Sequence, residues 1–173
     1  MDLLALIVGV AAIVAAIFSA VGSSVRNEAH HQATVIQDLI KDISEITHNY
    51  FLTGTGEAST QKNCGDKVAD TRKAMIYESK CSMRCDLLES ALQLLVRRCS
   101  RSLLFDADVE VFRSDFVGLL GSLRDTLSVG AYSSENTVQS ILVVDAGLVR
   151  LHMRLNDYIS ERFRPVFETA QSH

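Results

Sequence analysis

The chain of 173 residues has no tryptophan and a single proline, Pro165. Proline is the strongest internal breaker of a helix, so its near absence leaves long helices unopposed. Glycine is also sparse, at nine residues, and no phosphate-cradling loop is built from it. Gly54 and Gly56 lack the lysine and the strand-to-helix context that such a loop requires. A nucleophile elbow of the G-x-S-x-G type is missing as well. No stretch alternates apolar and polar residues with period two, which argues against a sheet. No internal repeat is evident. The net charge of −4 is not the basic balance by which nucleic-acid binders neutralise phosphate. These absences point away from hydrolases, nucleotide-binding enzymes and nucleic-acid binders, and predict no cofactor.

One further absence is positive information. Between Asp2 and Arg26 there is no charge of either sign, and Leu3 to Gly22 forms 20 uncharged, mostly apolar residues. As a helix rising 1.5 Å per residue this run is about 30 Å long, close to the hydrocarbon thickness of a bilayer. A cleaved signal peptide would carry a basic start and a shorter apolar region, and this start is Met1-Asp2. A buried core helix would rarely run so far without a charge. The run therefore predicts a retained transmembrane helix, residues 1–24 forming the anchor. Within it Ala5, Gly9, Ala12, Ala16 and Ser19 recur at spacings of four and three. Small residues on one stripe let helices approach closely in lipid, which predicts packing against another membrane helix. Arg26 follows the run and no basic residue precedes it. That flank places the C-terminal part in the cytoplasm, at the plasma (inner) membrane.

The remaining residues, 25–173, read as one helical domain. Ala29, Ala33, Ile36, Ile40, Ile43, Thr47 and Tyr50 mark one helix face, flanked by Val35, Leu39 and Ile46. No breaker separates this face from the apolar run, so a single rod is expected from the bilayer to about Leu52. Thr53-Gly54-Thr55-Gly56 ends it. A second helix is expected from about Gly65 to Leu104, with Cys81, Cys85, Leu88, Leu92, Leu95 and Cys99 forming a coiled-coil-like seam. Its first half, with Val68, Met75 and Ile76, is weaker. A third helix begins near Asp106 or Asp108, either a suitable N-cap. It carries Val109, Phe112, Phe116, Leu119, Leu123 and Leu127, and ends before a loop around Gly130. Gly118 and Gly121 are positions for close packing. The fourth follows Ser133 or Ser134, presents Ile141, Val144, Leu148, Leu151, Leu155 and Tyr158, and stops near Pro165. Four such stripes with short connections predict an all-α protein. Its N-terminal transmembrane helix continues into an antiparallel four-helix bundle.

Chemistry-bearing residues are few. Cys64, Cys81, Cys85 and Cys99 do not have zinc-knuckle spacing. On one continuous helix Cys81 and Cys99 lie about 27 Å apart and cannot share a metal. They read as small core hydrophobes, so no metal site is expected. His30 and His31 are adjacent and point about 100° apart on a helix, so they do not chelate. The spacing around His48 and His152 assigns neither a metal nor a catalytic partner. Glu45, Glu89 and Asp145 form no acid–base pair in sequence. Arg97, Arg98 and Arg101 close the second helix, where cations suit the dipole. They are also candidates for contact with an anionic partner or lipid head groups.

Together these features predict a single-pass, non-enzymatic interaction or assembly protein. Its expected partners are the bilayer and a second copy or another membrane protein. Two alternatives stand beside it. One is an extracytoplasmic sensory or ligand-binding bundle, an architecture similar to chemoreceptor-type sensor domains, though this chain has no returning membrane segment. The other is a membrane-acting effector of toxin, lysis or defence type.

Overall fold

The computed structural model describes residues 3–54, 64–100, 106–132 and 137–163; within these, the side chains of residues 3–8, 10, 18, 53–54, 64–70, 106–107, 129–132 and 137 are not described. Four helices result: α1 (Leu3–Gly54), α2 (Cys64–Ser100), α3 (Asp106–Tyr132) and α4 (Thr137–Arg162). With a 52-residue α1, the scarcity of breakers has its expected outcome. Of the loops expected at 53–63 and 128–134, residues 53–54 and 128–132 are helical and the rest lie outside the described residues, as do Pro165, Arg101 and the side chains of Ala5, Cys64 and Val68.

Consecutive helices pack on each other, and α1 also packs on α4, which closes a four-membered ring. Cross-helix pairs give the directions. His30 meets Phe163 while His48 meets Asp145, so α1 and α4 run antiparallel. Glu28 pairs with Arg98 and Asp42 with Arg84, so α2 descends along α1. Phe112 meets Tyr158 while Leu123 lies against Gly147, so α3 and α4 run antiparallel; α2, opposed to α1, therefore also runs opposite to α3, which it meets through Arg124 and Asp86. The described residues thus form an antiparallel bundle of four helices.

The core follows the three–four spacings closely. Ala29, Ala33, Ile36, Ile40, Ile43 and Thr47 are buried from α1, and Cys81, Cys85, Leu88, Leu92, Leu95 and Cys99 from α2. Three expectations shift by one position. The last buried step of α1 is Phe51 rather than Tyr50, which is half-buried. On α2, counting back from Cys81 leads to Tyr77 and Ala74, both buried, and leaves Met75 and Ile76 exposed. On α3, the step after Phe116 is four, to buried Leu120, with Leu119 half-buried against the core. The α3 helix also continues through Gly130 to Tyr132. One glycine costs about 1 kcal/mol in a helix, too little to end one already 24 residues long. Gly118 and Gly121 are exposed, and a Cβ at either would meet nothing within 4 Å. They are not sites of close packing within the bundle.

Aromatic residues gather at its two ends. Tyr50 stacks on Tyr77 at 4.2 Å near the C-terminus of α1. At the other end Phe112 stacks on Tyr158 at 3.8 Å and tilts against Phe116 at 5.7 Å.

Candidate interaction surfaces and polar clusters

Burial on α1 begins at Ala29. Every described residue before it is exposed except Val25, which is intermediate. The N-terminal part of the helix therefore extends past the bundle with bare apolar side chains. Ile13, Ile17 and Val21 are each more than half exposed. Gly9, Ala12, Ala16 and Ser19 of the small-residue stripe are exposed, and a Cβ on Gly9 would touch nothing. No helix is long and apolar enough, over its described residues, to cross a membrane. The run Leu3–Gly22 includes Leu3–Val8, Val10 and Phe18, whose side chains are not described.

The end of the bundle nearest this extension is rich in arginine. Arg98 reaches back to Glu28 at 3.1 Å, which brings the last turn of α2 beside the start of the buried part of α1. Arg97 is exposed. Arg162 of α4 arrives at the same end and donates to the Cys99 carbonyl at 3.1 Å. Of the three arginines singled out in sequence, Arg97 and Arg98 are thus placed together at this end.

Beside them, α3 and α4 enclose a shallow cleft of about 390 Å³ lined by Asp108, Val111, Arg154, Tyr158, Glu161 and Arg162. Two acids and two arginines line it, so their formal charges cancel. Arg154 is engaged by Asp115 at 2.9 Å and lies 5.8 Å from the Phe112 ring centroid. The Tyr158 hydroxyl is buried with no hydrogen-bond partner.

The described cysteines behave as core residues. Cys81, Cys85 and Cys99 are free and buried. Burial pushes the Cys81 thiol up to about 11, partly offset by the Tyr77 hydroxyl beside it. Burial likewise raises Cys85 and Cys99. Such thiols are poor nucleophiles at neutral pH because little thiolate is present. Among the described residues no group of three or more His, Cys, Asp or Glu is arranged to hold a metal. Near Cys81 the core is not wholly apolar. Thr47 donates to the Ile43 carbonyl at 2.8 Å, and its oxygen lies 3.4 Å from the Tyr77 hydroxyl. This back-bonding to the preceding turn explains how a threonine sits at a fully buried seam position.

A polar ladder between α1 and α4 was not legible in the sequence. Gln37 donates to Asn156 at 2.9 Å, and Asn156 contacts His152. Ser44 donates to Asp145, and His48 lies 2.9 Å from the other oxygen of that carboxylate. His48 and Asp145 are therefore partners across 97 positions. Glu89 is engaged by Arg124, which spans Glu89 and Asp86 of α2, and Glu45 by Lys41.

The fold and surfaces define an antiparallel four-helix bundle with an apolar extension of its first helix. Comparison with known protein families, with curated proteins and with solved structures finds no match.

Proposed function

We propose that this chain is a single-pass membrane protein of non-enzymatic function, whose cytoplasmic bundle assembles with a second copy or with another membrane protein. The observation that carries the proposal is the extension of α1 beyond the bundle, with Ile13, Val14, Ile17 and Val21 bare. An exposed apolar surface of this kind marks a site covered by lipid or protein, and its charge-free length matches a bilayer core. In this reading Ala5, Gly9, Ala12, Ala16 and Ser19 pack against a membrane helix. Arg26, Arg97, Arg98 and Arg101 face anionic head groups at the cytoplasmic surface.

Fractionation tests it. The full chain should stay with membranes through alkaline carbonate extraction, and a chain lacking residues 3–22 should be released. Recovery of the full chain in the aqueous phase would refute the anchor. Replacing Gly9 and Ala12 with leucine keeps the hydrophobicity but blocks close approach, so association through the membrane helix should weaken. An impermeant thiol reagent applied to intact cells should leave a cysteine placed at Thr34 unlabelled; labelling would move the bundle to the outer side and favour the sensory alternative.

A further inference from the structure

α4 carries a second, shorter apolar stripe besides its core face. Its core face carries Val144, Leu148, Leu151, Leu155 and Tyr158. On the opposite side Leu142, Ala146, Val149 and Met153 are all exposed, at spacings of four, three and four. That is the spacing of a coiled-coil seam. Leu142, Val149 and Met153 are each more than half exposed, and Val138 and Val143 extend the patch. Among the described residues nothing covers this seam, because α4 packs only on α1 and α3.

The rows that flank the seam say what would cover it. On the α1 side run Val138, Asp145 and His152, seven residues apart. On the α3 side run Val143, Arg150 and Asp157, also seven apart. When two identical helices pack in parallel, each residue of the first row faces the residue five positions later in the partner's second row. That offset pairs Val138 with Val143, Asp145 with Arg150 and His152 with Asp157 across the axis. Apolar meets apolar, Asp145 and Arg150 are opposite in charge, and His152 meets Asp157 as hydrogen-bond donor and acceptor. Antiparallel packing sets each row against itself instead, so Arg150 meets no such series. Among the described residues neither Arg150 nor Asp157 has an ion-pair partner within the bundle. Asp145 already accepts from Ser44 and contacts His48, but each carboxylate oxygen keeps a further lone pair.

We infer that the outer face of α4 is the docking surface for a second copy of this chain, aligned side by side and parallel. Parallel alignment is also the one that two copies anchored through α1 in one membrane share. To that extent the inference rests on the anchored assembly described above. The exposed face of α2 does not serve equally. Its seam of Ile76, Met83, Leu87 and Leu94 is interrupted by Lys80, Ser90 and Arg97 at equivalent positions, and Arg84 and Arg98 beside it already pair with Asp42 and Glu28.

Two measurements on the full-length protein in its own membrane test the surface. Val149→Cys should give an oxidative cross-link between copies, because a parallel seam sets position 149 opposite itself. Leu94→Cys, on the α2 face, is the control and should cross-link far more slowly. The Leu142→Glu, Val149→Glu double variant should convert the dimeric mass in mild detergent to that of a monomer, with helical content unchanged. Arg150→Asp should weaken the dimer, and adding Asp145→Arg should restore it. A wild-type chain that is already monomeric would overturn both this surface and self-association. A dimer that survives the double glutamate variant but yields to Gly9→Leu, Ala12→Leu would overturn the α4 surface alone. Co-purification of a different protein lost on the double variant would also overturn the second copy as occupant.

Discussion

Tyr158 offers a sharp test of the packing because its two parts are in opposite situations. The ring is stacked on Phe112 at 3.8 Å and only 9° from parallel. The hydroxyl is buried without a hydrogen-bond partner, and the neighbouring Cys99 thiol is at best a weak one. Burying an unsatisfied hydroxyl costs about 1–3 kcal/mol in proteins. Tyr158→Phe deletes only that group, so the variant should be more stable by about 1 kcal/mol. For a chain of this size that raises Tm by about 2–4 °C. Phe112→Ala removes the stacking partner and leaves a cavity, and should lose about 3–5 kcal/mol, with Tm down by roughly 10 °C. Thermal unfolding followed by circular dichroism at fixed detergent concentration reads both. The reasoning fails if Tyr158→Phe is less stable than wild type by more than about 0.5 kcal/mol, the scatter expected of a neutral change. Such a loss would mean that the hydroxyl is satisfied, by the Cys99 thiol beside it or by a group in the cleft between Asp108 and Arg162.

The remaining expectations concern glycine, alkali and thiol chemistry. Gly118→Ala and Gly121→Ala should each stabilise the bundle by about 0.5–1 kcal/mol, since a helical glycine costs entropy and a Cβ there meets nothing. Gly147→Ala should gain less in the same denaturant titration, because its Cβ would lie 3.3 Å from Leu123 Cδ1. Burial holds the Cys81 proton to about 11 against an ordinary 9.0. An unfolded chain therefore ionises first, and stability should fall as pH rises from about 9 through 11. Cys85, Cys99, Tyr77 and Tyr158 shift in the same direction. Linkage sets the loss at up to about 1.4 kcal/mol per pH unit for each such group. A flat profile of unfolding free energy above pH 9 would contradict that burial. At pH 7.5 Cys81, Cys85 and Cys99 should resist alkylation until denaturant is added, as counted by mass spectrometry.

How much of this was readable in the sequence depends on the range of the interaction. Seam positions were legible wherever one residue type filled them, as on α4, where Val144 through Tyr158 all fall in the core. The cysteines of α2 were legible as core for the same reason. Errors of one position arose where two apolar residues were adjacent. Leu119 and Leu120 offer the same side chain, and helix phase alone decides between them. Met75 and Ile76 looked like core by composition, yet α2 is apolar on two faces and they belong to the outer one. The candidate site was less legible. The arginines at the end of α2 stood out as a cluster, but their proximity to Glu28 needed the antiparallel pairing of α1 and α2. The Asp145–His48 and Asn156–Gln37 contacts join residues 97 and 119 positions apart, and no local spacing encodes them.

The polar character of the α1–α4 contact has a consequence for how the chain emerges from the ribosome. α2 and α3 each follow soon after the helix they pack on. The flank of α1 that receives α4 must wait until Asp145 and Asn156 have been made. At a synthesis rate of about 5–20 residues per second that delay is about 5–20 s. An apolar flank left bare for so long would invite aggregation. Gln37, Ser44 and His48 keep it wetted in the interval, and then each finds a designated partner when the last helix arrives.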